Sequence, residues 1–130
     1  MWRAVLPILL GEKQRVVLTD HFIGQFGYPI ADTRPYRSNS FTTILGAELH
    51  SGAMQNGELW HILAVGLPED FRAPDAPGFV PVEGQETGPE LAARARAAGA
   101  FVAIAHPQWS GLTLDDARSI DAAHAVEIYN

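Results

Sequence analysis

An α/β domain built on a parallel sheet is the fold class that the sequence predicts, from three observations. Apolar runs of strand length recur at Val16-Val17-Leu18, Ile44-Leu45-Gly46-Ala47, Leu59 to Leu67 and Phe101 to Ala105. Helix signals alternate with the later runs, so that a helix followed by an apolar strand occurs twice over, the rhythm of crossover connections. Three of the runs finish on ionisable residues, at Asp20-His21, Glu48 and His106. In (β/α) barrels a site lies at the carboxyl ends of the strands, where all of these would emerge.

A chain of 130 residues, 47% hydrophobic and 18% charged, suits one domain spanning 1–130. The formal net charge of -6 supplies no field to draw in a nucleic-acid backbone or an anionic membrane, so no extended nucleic-acid surface and no membrane contact are expected. A nucleotide in a local pocket stays open. Cysteine is absent, which leaves only nitrogen and oxygen ligands for any metal and agrees with a cytoplasmic location.

In chain order, Ala4 to Leu10 is too short for a secretory signal or a membrane span and is expected to pack on the domain as a helix or an extended segment. Val16 to His21 reads as a buried strand, and the Gly-, Pro- and Tyr-rich loop from Phe22 to Arg37 is long enough to be a binding loop or lid. The strand ending at Glu48 is followed by turn signals at Ser51-Gly52 and Asn56-Gly57 and by the run from Leu59, which together read as a β-hairpin. A loop centred between Met54 and Gln55 would set Glu48 opposite His61, with Cβ atoms ~5 Å apart. A tight turn on Asn56-Gly57 would set them ~13 Å apart. The wider loop is expected.

Pro68 to Gly88 reads as a surface excursion. A helix over Pro89 to Ala98 follows, with Thr87 or Gly88 near its cap and Gly99 as terminator. The strand Phe101 to Ala105 comes next, then a second helix beginning near Thr113 with Asp115 and Asp116 as helix-start charges, and a last strand from Ala125 to Tyr129.

Five short stretches, Thr19-Asp20-His21, Gly46-Ala47-Glu48, His61-Ile62-Leu63, Ala105-His106-Pro107 and Val126-Glu127-Ile128-Tyr129-Asn130, resemble in order and approximate spacing the motifs of the polymerase and histidinol phosphatase (PHP) domain. The resemblance spans nearly the whole chain. It implies part of a distorted (β/α)7 TIM-like barrel holding two or three divalent ions, manganese, zinc or iron, that hydrolyses phosphoesters. His21, Glu48, His61 and His106 match metal-ligand positions. Imidazole and carboxylate suit such ions, and paired ions can activate water while neutralising phosphate charge. The nucleophile implied is metal-bound water, with no side-chain nucleophile.

The family also carries a His-x-His strand and a Ser-Asp-Gly turn near its start and an Asp-x-His motif near its end. None of these stands in this sequence, so the chain is expected to be an incomplete PHP domain supplying about half of the ligand shell. A small phosphorylated metabolite or a nucleotide is the expected substrate. The alternatives are a PHP-like module that has lost catalysis and serves in binding or scaffolding, and an amidohydrolase-like enzyme cleaving carbon–nitrogen bonds.

Asp20 is expected behind the ligands, orienting one of them or a water, and Glu127 and Asn130 as support for the site. Arg34 and Arg37 follow His21 closely and would reach a substrate phosphate, or else pair with Asp32 on the surface. His50 and His124 match no motif and are expected to be ordinary hydrogen-bonded residues. Trp109 is expected to be a half-buried packing residue, or a stacking surface at the pocket mouth.

Overall fold

The computed structural model describes residues 4–10 and 13–129. Its strands are β1 (Ala4–Leu10), β2 (Lys13–Thr19), β3 (His21–Phe22), β4 (Phe41–Leu49), β5 (Ile62–Val65), β6 (Phe101–Ile104) and β7 (Ala125–Val126). They form a mixed sheet in the order β1-β2-β4-β5-β6-β7, and β3 takes over from β2 alongside β4. Helices α1 (Gly88–Ala97), α2 (Pro107–Ser110) and α3 (Leu114–Ser119) follow β5 in the chain. Single 3-10 turns at Gly24–Phe26 and Arg34–Tyr36 punctuate the long loop after β3, and the run from 68 to 87 carries no regular element. Among the described residues no helix is long and apolar enough to cross a membrane.

The sheet is open, which overturns the expected (β/α)7 barrel. β1 is antiparallel to β2, and β5 is antiparallel to both β4 and β6. Only the β2–β4, β3–β4 and β6–β7 pairs are parallel, and β1 and β7 occupy opposite edges. The cause lies in the link from β4 to β5. It closes through an Ala53–Leu59 bridge and a Gly57 N–H bond to the Met54 carbonyl, a hairpin far too tight for a parallel crossover, which takes a dozen or more residues. The helix-then-strand rhythm at α1 and β6 is therefore a return onto the edge of an antiparallel strand.

This topology still brings the polar residues to one place. β3, β4, β6 and β7 all finish at the end of the sheet where β5 begins. Side chains alternate between faces along a strand. Ala47, Leu49, Ile62, Ala64, Val102 and Ile104 are accordingly buried in the core with Leu91, Ala92 and Ala95 of α1, while Glu48, His50 and His61 take the opposite face.

α1 begins where a capping box forms: the Thr87 hydroxyl accepts the Glu90 N–H, and Glu90 accepts the Thr87 N–H at 2.9 Å. Gly88 at its start lies flat against the buried Trp60 indole, and a Cβ added there would fall 2.2 Å from the ring. Gly88→Ala is expected to lose about 1–3 kcal/mol of unfolding free energy by overpacking. A urea titration reads this as a lower midpoint at an unchanged slope; an unshifted midpoint would show the indole free to move aside.

Candidate metal centre

The site is built from four strand ends. His21 opens β3 and pairs in register with Glu48, so the two share a face. The β4–β5 register sets Glu48 against Leu63 and Leu49 against Ile62, which by continuation places His50 against His61. This register lies midway between the two expected ones: Glu48 and His61 are diagonal neighbours, not directly opposed, yet their side chains meet. His106 follows β6 with a left-handed backbone, φ 24°, that is costly for a residue with a Cβ and interrupts the strand's alternation. The His106 N–H is held by the Glu127 carboxylate at 2.7 Å, which also lies 3.5 Å from His106 Nδ1.

At the centre stands the Glu48 carboxylate, 5% exposed. One oxygen, Oε1, lies 2.8 Å from His61 Nδ1 and 3.4 Å from His106 Nε2, and those two nitrogens are 3.0 Å apart. The other, Oε2, lies 3.2 Å from His21 Nδ1, which is 2.9 Å from His50 Nε2. His50 Nε2 is 3.9 Å from Oε1. Two groups able to hold a cation result, His21-Glu48-His50 and Glu48-His61-His106, with the carboxylate common to both.

The electrostatics follow from burial. Burial alone would raise the Glu48 carboxyl, but the His61 hydrogen bond and the fields of His50, His21 and His61 outweigh it and hold the group below its ordinary value. Burial drives His50 down to about 3 against the opposing pull of Glu48. Burial likewise lowers His106, again against Glu48. At neutral pH His50 is thus uncharged, its Nδ1–H donating to the Trp60 carbonyl at 3.1 Å, which leaves a bare lone pair on Nε2 aimed into the cluster.

Four imidazole nitrogens and one carboxylate therefore converge, with neighbouring donor atoms 2.8–3.9 Å apart. Adjacent ligands of a cation with bonds of ~2.1 Å lie ~3.0 Å apart in octahedral and ~3.4 Å apart in tetrahedral geometry. The donor spacings of 2.8–3.4 Å around Glu48, His61 and His106 match that range. The donor set of nitrogen and carboxylate oxygen fits manganese, iron or zinc.

The structure brings His21, Glu48, His61 and His106 together. Asp20 is buried beside them, and its main-chain carbonyl accepts the Glu48 N–H at 2.9 Å. Glu127 supports His106 as described, and Asn130 lies outside the described residues. Arg34 instead forms a bidentate pair with Asp32 at 2.7 and 3.0 Å and reaches Glu69 at 2.5 Å, contacts that raise its already high pKa. Arg37 donates to the Thr43 carbonyl at 2.7 Å. Neither lines the cavity beside the cluster.

His50 is the residue that motif matching missed, although Glu48-x-His50 on a strand puts both side chains on one face. His124, by contrast, accepts the Val102 N–H at 3.0 Å away from the cluster. Two further groups flank the site on the His21 side. The Phe79 ring meets His21 edge-on at 5.0 Å and His50 at 5.7 Å, and Phe26 lies 6.4 Å from His21. Backbone bonds from Gly24 to Ala76 and Gln25 to Pro77, both 2.8 Å, clasp the two loops that carry them. On the His61 and His106 side the cluster opens into a cavity of about 350 Å³.

The buried imidazole has a measurable consequence. Free His50 titrates near 6.5 and folded His50 near 3, so between these values the unfolded chain binds the additional proton. Stability of the metal-free protein is therefore full above about pH 6.5 and falls on acidification towards 3, by up to ~1.4 kcal/mol per pH unit. The depressed Glu48 adds a loss of the same sign as pH falls through its folded value. Urea unfolding in a chelating buffer between pH 7 and 4 tests this, and a flat profile would contradict it. No protein-family model, no curated protein and no solved structure matches the chain.

Proposed function

We propose that this chain is a metal-dependent phosphoesterase of the PHP kind, acting on a small phosphorylated molecule or a nucleotide. The observation that carries this is the buried Glu48 carboxylate set between His21 and His50 on one side and His61 and His106 on the other. Bound there, two divalent ions would supply an activated water and neutralise charge on the phosphate.

The chain's own groups account for the rest. Glu48 contributes the negative charge shared by both ligand sets. Glu127 fixes His106 through its N–H and beside its Nδ1, which holds the imidazole lone pair in position against His61 and Glu48. Phe26 and Phe79 flank His21, and the cavity lies beside His61 and His106, the side from which an ester would approach. A cytoplasmic location goes with this function, since the ligand set uses no thiolate and the chain contains no disulfide.

Manganese-loaded protein is expected to release p-nitrophenol and phosphate from p-nitrophenyl phosphate, to lose the activity in chelator and to regain it when manganese is restored. His106→Ala is expected to lower kcat/KM by about 100-fold or more. Absence of turnover with manganese, zinc or iron would refute a phosphoesterase.

A further inference from the structure

The cavity beside the cluster carries groups that metal binding leaves unused. Its lining includes the ligands His61 and His106 together with Glu58, Gln108 and Trp109. No lysine or arginine lines it among the described residues. Its volume of about 350 Å³ falls at the lower end of the small-molecule range, too confined for a folded partner.

Trp109 is 83% exposed, contrary to the half-buried packing role expected for it, and so contributes little to the core. Its place is nevertheless held firmly. It sits in α2 directly after the strained His106, with the Trp109 N–H bonded to the His106 carbonyl at 2.9 Å. The facing wall is tied to the same segment, because Asn56 Nδ2 donates to the Ser110 carbonyl at 2.8 Å. Gly111 permits that clasp: its φ is +66°, and an added Cβ would lie 2.8 Å from Asn56 Nδ2. A large aromatic surface is thus presented to solvent on the cavity wall that also carries His106, together with the Glu58 carboxylate as an acceptor and the Gln108 amide as both donor and acceptor.

We infer that this cavity takes a planar, N–H-bearing heterocycle, a nucleobase stacked on Trp109, so that the substrate class is a nucleoside monophosphate with its phosphate at the cluster. The inference rests on the phosphoesterase function proposed above and narrows it. Stacking on an indole suits any base face. Glu58 accepts from a ring or exocyclic N–H and repels a second phosphate, which turns away bisphosphates and other polyanions. A free nucleotide and the terminal nucleotide of a short oligonucleotide share this chemistry.

The experiment has a binding arm and a turnover arm, both on the manganese-loaded full chain and on Trp109→Ala, whose exposed position makes folding insensitive to the change. Calorimetry with adenosine, which has no phosphate, is expected to show binding that weakens about tenfold or more in Trp109→Ala. The ratio of kcat/KM for adenosine 5′-monophosphate to that for ribose 5-phosphate is expected to fall by a similar factor. Preference for the mononucleotide over a 5′-phosphorylated dinucleotide, or the reverse, identifies the source, and either preference supports the stacking site. Adenosine binding that depends on Trp109 without hydrolysis of either phosphate would keep the base site and remove the phosphoesterase. Hydrolysis of both phosphates at a ratio that Trp109→Ala leaves unchanged, with no adenosine binding, would overturn the base site and leave the phosphoesterase intact.

Discussion

The burial of one carboxylate among imidazoles governs this structure. Removing an ionised carboxylate from water costs several kcal/mol even after relaxation, and the cost is recovered only when both oxygens are engaged. Glu48 engages both, with His61 at Oε1 and His21 at Oε2. Burial meanwhile forces two neighbouring imidazoles towards neutrality, His50 most of all and His106 with it. The nitrogens of His61 and His106 and the Glu48 carboxylate crowd together at 2.8–3.4 Å. A divalent cation on each side of the carboxylate, as the proposed function requires, would bring positive charge to this polar interior.

The sheet exists in the form that makes this meeting possible. Because β5 runs against its neighbours, its first residues reach the same end of the sheet as the last residues of β3, β4 and β6. His61 thereby joins a site that parallel strands would supply only from their carboxyl ends. The strained backbone at His106 and the carboxylate of Glu127 then correct the direction of a side chain that strand alternation would not deliver. The two halves differ in their surroundings: phenylalanine rings flank His21 and His50, while the cavity adjoins His61 and His106.

Much of the site was legible in the sequence because strand ends rarely finish on Asp-His, Glu or His without a polar destination. His21, Glu48 and His106 stood out on that ground, His61 stood at the head of a run, and the ligand role of all four came from the PHP resemblance; the first turns of α1 and α3 could be read from Thr87 and Thr113 with their acidic partners three residues on. The open mixed sheet was not legible, and a barrel was expected in its place, since a helix followed by a strand looks the same whether the chain crosses over or turns back, and only the hairpin geometry at 53–59 decides. His50 was hidden by reliance on motifs, although the alternation of β4 placed it beside Glu48. For Arg34 and Arg37 the sequence left a phosphate contact and a surface pair with Asp32 both open; Arg34 takes Asp32, while the further acceptors, Glu69 and the Thr43 carbonyl, are set by tertiary contact and loop shape. Phe79, far from His21 in the chain, carried no local signal at all.

Divalent-ion stoichiometry, measured by calorimetry and elemental analysis on the wild-type chain and on single ligand variants, probes the shared carboxylate most directly. Two manganese or zinc ions per chain are predicted, with one retained in His50→Ala and neither in Glu48→Ala. Binding of a single ion that survives Glu48→Ala, or no binding at all, would contradict a centre organised around that residue.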